Sequence, residues 1–175
     1  MRPAALFLLI VVLTAASTAP AHLPDHERQQ IAELAQRYLQ HRADKVTNSP
    51  QVAGFGVPTT DALAAGLRDD ERKLRARNAS YSSFPGGGYS RAAVSTTLRR
   101  LHVDPDGSVV AHVREVTELH FARTGSVTHS TFSITTVLVF DRTATGWVLA
   151  AAIRPPGTKC GLPAETQFCG HLTER

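Results

Sequence analysis

The sequence predicts an α+β domain in which N-terminal helices pack on a curved, four-stranded antiparallel meander. Two observations carry this prediction. Apolar residues recur at helical spacing in the first half of the chain, and strand-forming residues divided by turn signals fill the stretch from Arg91 to Arg154. Steps of three and four residues indicate an amphipathic helix, whereas alternation indicates a strand buried on one face. Helices covering the dry face of such a sheet complete the arrangement.

The first helix is predicted from about Asp25 to Lys45. Its apolar side chains share one stripe, and the carboxylate of Asp25 is placed to cap the first turn. The chain from Asn48 to Pro58 carries prolines and glycines without a period and is predicted to be a loop. The stripe consists of Ile31, Leu34, Ala35, Tyr38 and Leu39.

A second, shorter helix is predicted to begin near Thr60, whose hydroxyl can cap it. From Tyr81 to Tyr89 the chain holds a proline followed by three glycines, which predict an irregular, flexible link into the sheet. The second helix directs three leucines toward the core, namely Leu63, Leu67 and Leu74.

Three turns set a trial register for the meander. They are a type I turn at 104–107, a two-residue tip at 124–125 and a longer loop at 141–146. Pairing Arg123 with Ser126 fixes the central hairpin, and pairing Phe140 with Trp147 fixes the last one. A slip of one residue would turn every apolar side chain to solvent, so agreement between the two hairpins favours this register. The resulting pairs include Leu119–Ser130, Thr117–Phe132, Glu115–Ile134, Val113–Thr136, Ala111–Leu138, Val109–Phe140, Leu138–Leu149 and Ile134–Ile153.

This register gives the sheet one apolar and one polar face. The apolar face, which the helices should cover, comprises Val94, Leu98, Val109, Val113, Phe121, Phe132, Ile134, Leu138, Phe140, Trp147, Leu149 and Ile153. The polar face comprises His112, Arg114, Glu118, His120, His129, Thr131 and Ser133.

The N-terminus is predicted to be a signal peptide spanning residues 1–21. Arg2 precedes an apolar run from Ala4 to Ala16, and small residues before a cut after Ala21 suit a signal peptidase. A membrane anchor is the weaker alternative, because the run is shorter than the ~20 residues that span a bilayer. We therefore expect a secreted protein with one domain over residues 22–156 and a C-terminal segment over 157–175.

Two cysteines lie in that last segment. In an exported chain, Cys160 and Cys169 are expected to form a disulfide. A zinc site recruiting His171 is the alternative, but no fourth ligand has suitable spacing.

Charge and motifs exclude several functional classes. The formal net charge is +4 at pH 7, and the stretch from Asp69 to Arg75 mixes both signs as a solvated helix face does. Nucleic-acid binding is therefore not expected. No later apolar run is long enough to span a membrane, and no cofactor is predicted. A weak attraction to anionic cell-wall polymers or lipid headgroups is compatible with the charge.

The segment from Glu27 to Arg154 resembles the nuclear-transport-factor-like superfamily of SnoaL-like, cystatin-related cones. The matching residues are Glu115 to Leu119, Thr131-Phe132 and Gly146 to Leu149. It also resembles small secreted actinobacterial proteins, in some of which such a domain precedes an amidase region. The resemblance implies a cone-like fold. The superfamily includes isomerases, cyclases, dehydratases and non-catalytic binding domains, so it implies no single activity.

Glu115 is the candidate catalytic residue, because the register places this acid on the apolar face. Catalytic members of the superfamily hold an acid or histidine inside the cup, where it can act as a general base. In the alternative interpretation Glu115 is structural and bonded to neighbouring polar side chains. The residues predicted to surround it, and to line any ligand site there, are Tyr38, Thr96, Arg100, Thr117 and Thr136.

The polar face is the candidate partner-binding surface. Its predicted contact residues are His112, Arg114, Glu118, His120 and His129. Two imidazoles and a carboxylate on this face form an alternative zinc or copper site, but no fourth ligand accompanies them and no metal is predicted.

The sequence is therefore interpreted as a secreted, non-catalytic domain, monomeric or homodimeric. Its partner is an unidentified small molecule or protein, such as a cell-envelope component. The alternative is a small lyase or isomerase that uses Glu115 as its base.

Overall fold

Two helices precede a four-stranded antiparallel sheet in the computed structural model, which describes residues 23–50, 52–83, 87–123 and 125–153. The strands follow one another in the sheet in chain order, β1-β2-β3-β4. This open sheet with helices on one face confirms the predicted α+β class. No helix of these described residues is long and apolar enough to cross a membrane. The elements are α1 (Asp25–Asp44), α2 (Asp61–Ser82), β1 (Tyr89–Val103), β2 (Val109–Phe121), β3 (His129–Thr143) and β4 (Gly146–Ile153).

Helix α1 buries the predicted stripe, but its N-terminus differs from the prediction. Pro24 occupies the N-cap position, and no side chain caps the helix. Asp25 is instead the first helical residue, where its negative charge still suits the positive end of the helix dipole. The predicted cap by Asp25 was therefore wrong. The side chains of Ile31, Tyr38 and Leu39 are fully buried.

Helix α2 begins as predicted and ends later. The Thr60 hydroxyl accepts a hydrogen bond from the Leu63 amide at 3.3 Å, which confirms the cap. At 22 residues α2 is longer than α1, which has 20, so the expectation of a shorter helix was wrong. Its last turn reaches Ser82, inside the segment predicted to be irregular. Leu67 and Leu74 are buried and Leu63 packs against the core, as predicted.

The central hairpin has the predicted register. β2 and β3 pair with Glu115 opposite Ile134 and Val109 opposite Phe140, and every other predicted pair of these strands also occurs. The turn between β1 and β2 is closed by a 2.9 Å hydrogen bond from the Gly107 amide to the Asp104 carbonyl, as a type I turn requires. The turn at 104–107 and the register of the central hairpin were therefore predicted correctly, whereas the pairing of β2 with β3 ends at His120 and His129, short of the predicted Arg123–Ser126 pair.

The last hairpin is tighter than predicted. β3 continues to Thr143, which lies opposite Gly146, so only two residues form the turn. Gly146 has a φ of 127°, a conformation that glycine adopts without a Cβ clash. As a result Phe140 lies opposite Leu149, and its predicted pairing with Trp147 was wrong.

An irregularity in the β3–β4 pairing moves the end of β4. The register shifts between Val139 and Phe140, so Leu138 lies opposite Ala152 and Ile153 lies opposite Val137. The predicted pairs Leu138–Leu149 and Ile134–Ile153 were therefore wrong. Ile153 belongs to the polar face of the sheet rather than the apolar one, and 50% of its surface is exposed.

The core lies between the helices and the apolar face, here called the inner face. It joins residues of both helices to Val109, Val113, Leu138, Phe140 and Leu149 in one cluster. Phe132 is only half-buried at its margin, because β4 pairs with β3 no further than Val137. The opposite side of the sheet, the outer face, carries neither helix.

Candidate functional site

Glu115 lies in the core beneath α1 and is fully buried. One of its carboxylate oxygens accepts a hydrogen bond from Arg42 Nη2 at 2.5 Å, and the other accepts one from the Thr117 hydroxyl at 2.7 Å. Arg42 is itself only 4% exposed. The two charges therefore form a buried ion pair that joins α1 to β2. Both oxygens of the candidate base are occupied by donors.

Helix α1 positions Arg42 because this residue continues the apolar stripe. Ile31, Ala35, Tyr38 and Arg42 follow one another at steps of four, three and four residues, which places them on one helix face. All four are buried. Sequence reasoning missed Arg42 as the partner of Glu115, although its position on this stripe was the available signal.

Tyr38 lies next to this ion pair, with its hydroxyl close enough to Arg42 to feel the charge of the guanidinium. Burial raises the pKa of Tyr38 to about 12, although the positive charge of Arg42 opposes the shift. Burial acts to lower the pKa of Arg42, but the charge and hydrogen bond of Glu115, together with Tyr38, outweigh it, so the net pKa lies above the ordinary value. Glu115 therefore helps to stabilise the Arg42 charge inside the core.

The other residues predicted to surround Glu115 separate into two groups. Thr117 and Thr136 are buried with it on the inner face. Thr96 lies opposite Glu115 in the β1–β2 pairing and donates its hydroxyl hydrogen to Gln36 at 2.8 Å. Arg100 lies on the outer face, opposite His112, and does not belong with them. Its predicted proximity to Glu115 was therefore wrong.

A bulge in β1 explains the position of Arg100. The pairing with β2 shifts between Leu98 and Arg100, so Arg99 is an additional residue on β1. Without this bulge, alternation would place Leu98 and Arg100 on the same, inner face. The bulge returns Leu101 to the inner face and turns Arg100 outward.

Two depressions of the described surface do not reach Glu115. A wide, open groove of about 610 Å³ runs along α1 and is lined by Gln36, Arg37, Gln40 and Thr96, among others. A smaller one of about 150 Å³ lies between α2 and the loop around Phe55. Glu115 lines neither of them.

A second buried cation joins the end of α1 to α2. Lys45 is 1% exposed and donates to Glu71 at 2.7 Å and to the carbonyl of Val52, while its ammonium lies 5.6 Å from the Phe55 ring centre. Burial acts to raise the pKa of Glu71, but the hydrogen bond and charge of Lys45 prevail and hold it below its usual value. Lys45 therefore fixes the loop after α1 rather than offering a free charge.

The outer face concentrates positive charge between β1 and β2. Arg100 lies opposite His112, Arg114 is two residues further along β2 on the same face, and Arg99 occupies the bulge. The three arginines are exposed, and Arg114 Nε donates to the Ser133 hydroxyl at 3.1 Å. No ion pair joins these arginines to a carboxylate among the described residues. We call Arg99, Arg100, His112 and Arg114 the basic cluster.

The remaining partner-face residues meet at the far end of β2. His120 pairs with His129, and their ring centres lie 5.3 Å apart, as the predicted register requires. Glu118 Oε2 lies 3.6 Å from His120 Nε2, and Arg91 approaches the other ring nitrogen at 3.4 Å. Within the described part of the chain, no group of three or more His, Cys, Asp or Glu side chains could hold a metal ion.

The cysteine prediction falls outside the described residues. Cys160 and Cys169 follow the last of them, as does His171. The predicted signal peptide, residues 1–21, likewise precedes the first described residue.

Comparisons with known proteins identify no family. No protein-family model matches the chain, and no curated protein matches it. Among solved structures, a periplasmic fragment of TraM is similar at 15% sequence identity and a TM-score of 0.44. The similarity covers 72% of this chain and 95% of that one. A similarity of this size gives no basis for transferring fold or function.

The buried ion pair predicts a large loss of stability when one partner is neutralised. Glu115→Gln keeps the size of the side chain but leaves the Arg42 charge unpaired in the core. We expect the free energy of unfolding to fall by about 3–5 kcal/mol, measured by urea denaturation. Glu118→Gln, on the outer face, is the matched control and should change stability by less than about 0.5 kcal/mol.

A double replacement separates pairing from packing. Arg42→Met with Glu115→Met removes both charges and should cost less than the sum of the two single changes, because neither ion is left unpaired. Additive losses would show that the two side chains do not depend on each other.

The raised pKa of Tyr38 predicts an alkaline loss of stability. The folded state disfavours phenolate, so this contribution is fully present below the ordinary pKa of 10.0 and disappears as the pH rises toward about 12. Between pH 10 and 12 the wild-type protein should lose about 2 kcal/mol more unfolding free energy than Tyr38→Phe. Equal losses in the two proteins, measured by denaturation at each pH, would contradict the assignment.

Proposed function

We propose that this protein is an exported, non-catalytic binding domain that captures an anionic partner on its outer face. The observation that carries the proposal is the basic cluster. Three exposed arginines surround His112 on a sheet surface where no described carboxylate pairs with them. Guanidinium groups bind carboxylate and phosphate oxygens in paired hydrogen bonds, so such a surface suits an acidic polymer or an acidic protein segment.

The bulge in β1 supports this assignment. It places two consecutive arginines, Arg99 and Arg100, beside the arginine of the neighbouring strand. Bulges often redirect side chains near functional surfaces. Three like charges gathered on one face repel one another, and an anion bound among them would relieve that repulsion.

The surroundings of Glu115 favour binding over the alternative of a lyase or isomerase. A general base must reach a substrate proton within hydrogen-bond distance. Glu115 is fully buried, and its two oxygens already accept hydrogen bonds from Arg42 and Thr117. An enzyme acting through this carboxylate would first have to displace α1.

Export and an oxidised cysteine pair belong to the same proposal. The N-terminal leader sequence and the Cys160–Cys169 pair support a destination outside the cytoplasm. The resemblance to the nuclear-transport-factor-like superfamily, which contains many non-catalytic binding domains, agrees with this role.

The binding proposal is tested with two variants, each of which removes three positive charges from a different part of the surface. Poly-L-glutamate and inorganic polyphosphate serve as anionic probes, one for each source of charge, and fluorescence anisotropy reports binding. The triple variant Arg99→Gln, Arg100→Gln, Arg114→Gln should bind the preferred probe at least about tenfold more weakly, as expected if each contact contributes about 0.5 kcal/mol.

The matched control loses the same net charge elsewhere. Arg28→Gln, Arg37→Gln and Arg68→Gln alter exposed arginines of the helices that form no ion pair with a described carboxylate. This variant should bind nearly as the wild type does. If both variants bound the probe equally weakly, the effect would be one of net charge and the basic cluster would not be the binding site. The proposal would also be contradicted if the wild-type protein bound neither probe.

One intact-mass measurement tests both the removal of the signal peptide and the oxidation of the two cysteines. Protein recovered from the medium of expressing bacteria should lack residues 1–21 and weigh two hydrogens less than its reduced form. A retained leader would contradict export by cleavage after Ala21, and free thiols would contradict the disulfide.

A further inference from the structure

Helix α1 covers one part of the free edge of β1. β1 is an edge strand, and its side facing away from β2 meets α1. Gln40 Oε1 accepts a hydrogen bond from the Val94 amide at 2.9 Å, and Gln36 Nε2 donates to the Val94 carbonyl at 2.7 Å. Gln40 also donates to the Ala92 carbonyl at 3.2 Å. The two glutamine side chains therefore take the place of a fifth strand beside Ala92 and Val94.

The next part of this edge has no such partner. Backbone groups of a strand point to alternate sides, so Thr96 and Leu98 direct their N–H and C=O groups the same way as Val94. No residue within the described ranges hydrogen-bonds these outward groups. The contact between Thr96 and Gln36 uses only the threonine hydroxyl. An open row of backbone donors and acceptors is a template for a further strand.

The groove along α1 lies beside this open edge. Thr96 lines it together with residues of α1, among them Gln29, Ala32 and Glu33. Its volume of about 610 Å³ lies within the range of about 300–1,000 Å³ that is typical of ligand sites. The small side chain of Ala32 adds room on the helix side. The described structure therefore leaves space for an extended chain between α1 and the open part of β1.

We propose that this edge binds an extended acidic segment of a partner protein, which adds to β1 as a fifth strand. Strand addition supplies affinity through backbone hydrogen bonds and specificity through alternate side chains. The preference for acidic residues rests on the proposed function, because it depends on the basic cluster. The added strand itself rests on the open edge of β1 alone.

Charges beside the edge define the partner. β1 carries Arg91, Arg99 and Arg100 but no aspartate or glutamate. Outward side chains of an added strand lie about 5 Å from their neighbours on β1, so acidic side chains there can pair with these arginines. Inward side chains approach α1, where Glu33 disfavours a further acid. The geometry thus favours a segment in which acidic and uncharged residues alternate.

The same charges disfavour a second copy of this chain as the occupant. Two β1 strands paired edge to edge would bring three arginines from each strand onto one narrow strip. Neither strand contains an acid that could offset them. Like charges on neighbouring strands are destabilising, and charged edge strands prevent pairing between copies. The occupant is therefore a different, acidic chain.

N-methylated peptides test the added strand. The probe is a fluorescein-labelled, eight-residue peptide of alternating valine and glutamate, and fluorescence anisotropy reports its binding to the full-length protein. A strand presents every second N–H group to its neighbour. Methylation of either all the valine or all the glutamate nitrogens should therefore weaken binding at least about tenfold in one of the two peptides and leave the other nearly unchanged. Equal affinities of the two methylated peptides would overturn the proposal.

A proline on β1 tests the same contact from the protein side. Thr96→Pro removes an N–H group from the open edge, and proline is tolerated in an edge strand when its nitrogen faces away from the neighbouring strand. This variant should bind the unmethylated peptide at least about fivefold more weakly. Inorganic polyphosphate, which cannot form a strand, should bind it as it binds the wild type. Thr96→Val is the matched control, because it loses the same hydroxyl but keeps the N–H, and it should bind both probes normally.

Comparison with the triple arginine variant separates strand addition from anion binding. If N-methylation has no effect but Arg99→Gln, Arg100→Gln, Arg114→Gln weakens peptide binding, the basic cluster binds anions and β1 adds no strand. If alternate methylation matters but the triple variant binds the peptide normally, strand addition holds and the proposed function fails. Equal peptide binding by Thr96→Pro and Thr96→Val would overturn strand addition. The methylated peptides decide the question even if Thr96→Pro does not fold.

Discussion

The arrangement of helix and sheet depends on the buried ion pair between Arg42 and Glu115. Removing either charge from water is costly, and the attraction between the two ions inside the core offsets part of this cost. One axial position of α1 allows this contact. A shift of the helix by one turn would move Arg42 about 5.4 Å and leave both charges unpaired. Apolar contacts alone would tolerate such a shift more easily, because leucine, isoleucine and alanine side chains can repack. The ion pair therefore specifies how α1 lies on the sheet, and Lys45 with Glu71 then fixes α2 and the intervening loop relative to it.

The same ion pair determines which surface is available for function. A carboxylate held by an arginine and a threonine closes the space between α1 and the sheet that a ligand would need. The outer face has no such constraint, because neither helix covers it. Its two halves differ in character: β1 and β2 contribute the basic cluster, and β3 and β4, with Val110 of β2, contribute an aliphatic patch of Val137, Val139, Val148, Ala151 and Ile153. His112 lies on the boundary, with Arg100 on one side and Val137 on the other. The chemistry of the surface thus changes from charged to apolar across a single strand spacing.

Much of the fold could be predicted from the sequence, because most of the sheet obeys strict alternation. The pairing of Glu115 with Ile134 followed from a turn at residues 124–125 and the period of two, and it is correct. Prediction failed where that period is broken. The bulge before Arg100 and the irregularity at Val139 each add one residue on one strand, and each reversed the face assigned to a later residue, Arg100 in one case and Ile153 in the other. Turn residues are visible in a sequence, whereas a bulge depends on the partner strand. The buried cations were missed for a different reason, since lysine and arginine are rarely buried unless they are paired.

The two irregularities have related consequences for the outer face. Strict alternation in β1 would put Arg100 on the inner face, opposite Ala111; the bulge instead turns it to the outer face, opposite His112. Strict alternation in β4 would turn Ile153 into the core; the shift at Val139 instead directs it outward, next to Val137. In each case the residue that the irregularity displaces from the core becomes part of an outer-face feature, the basic cluster or the aliphatic patch. Without these irregularities, Arg100 and Ile153 would face inward, and the outer face would lack one arginine and one exposed isoleucine. The two irregularities lie on β1 and β4, the edge strands of the sheet. Each of them keeps one residue out of the core that the ion pair orders and adds it to the surface through which we propose the protein acts.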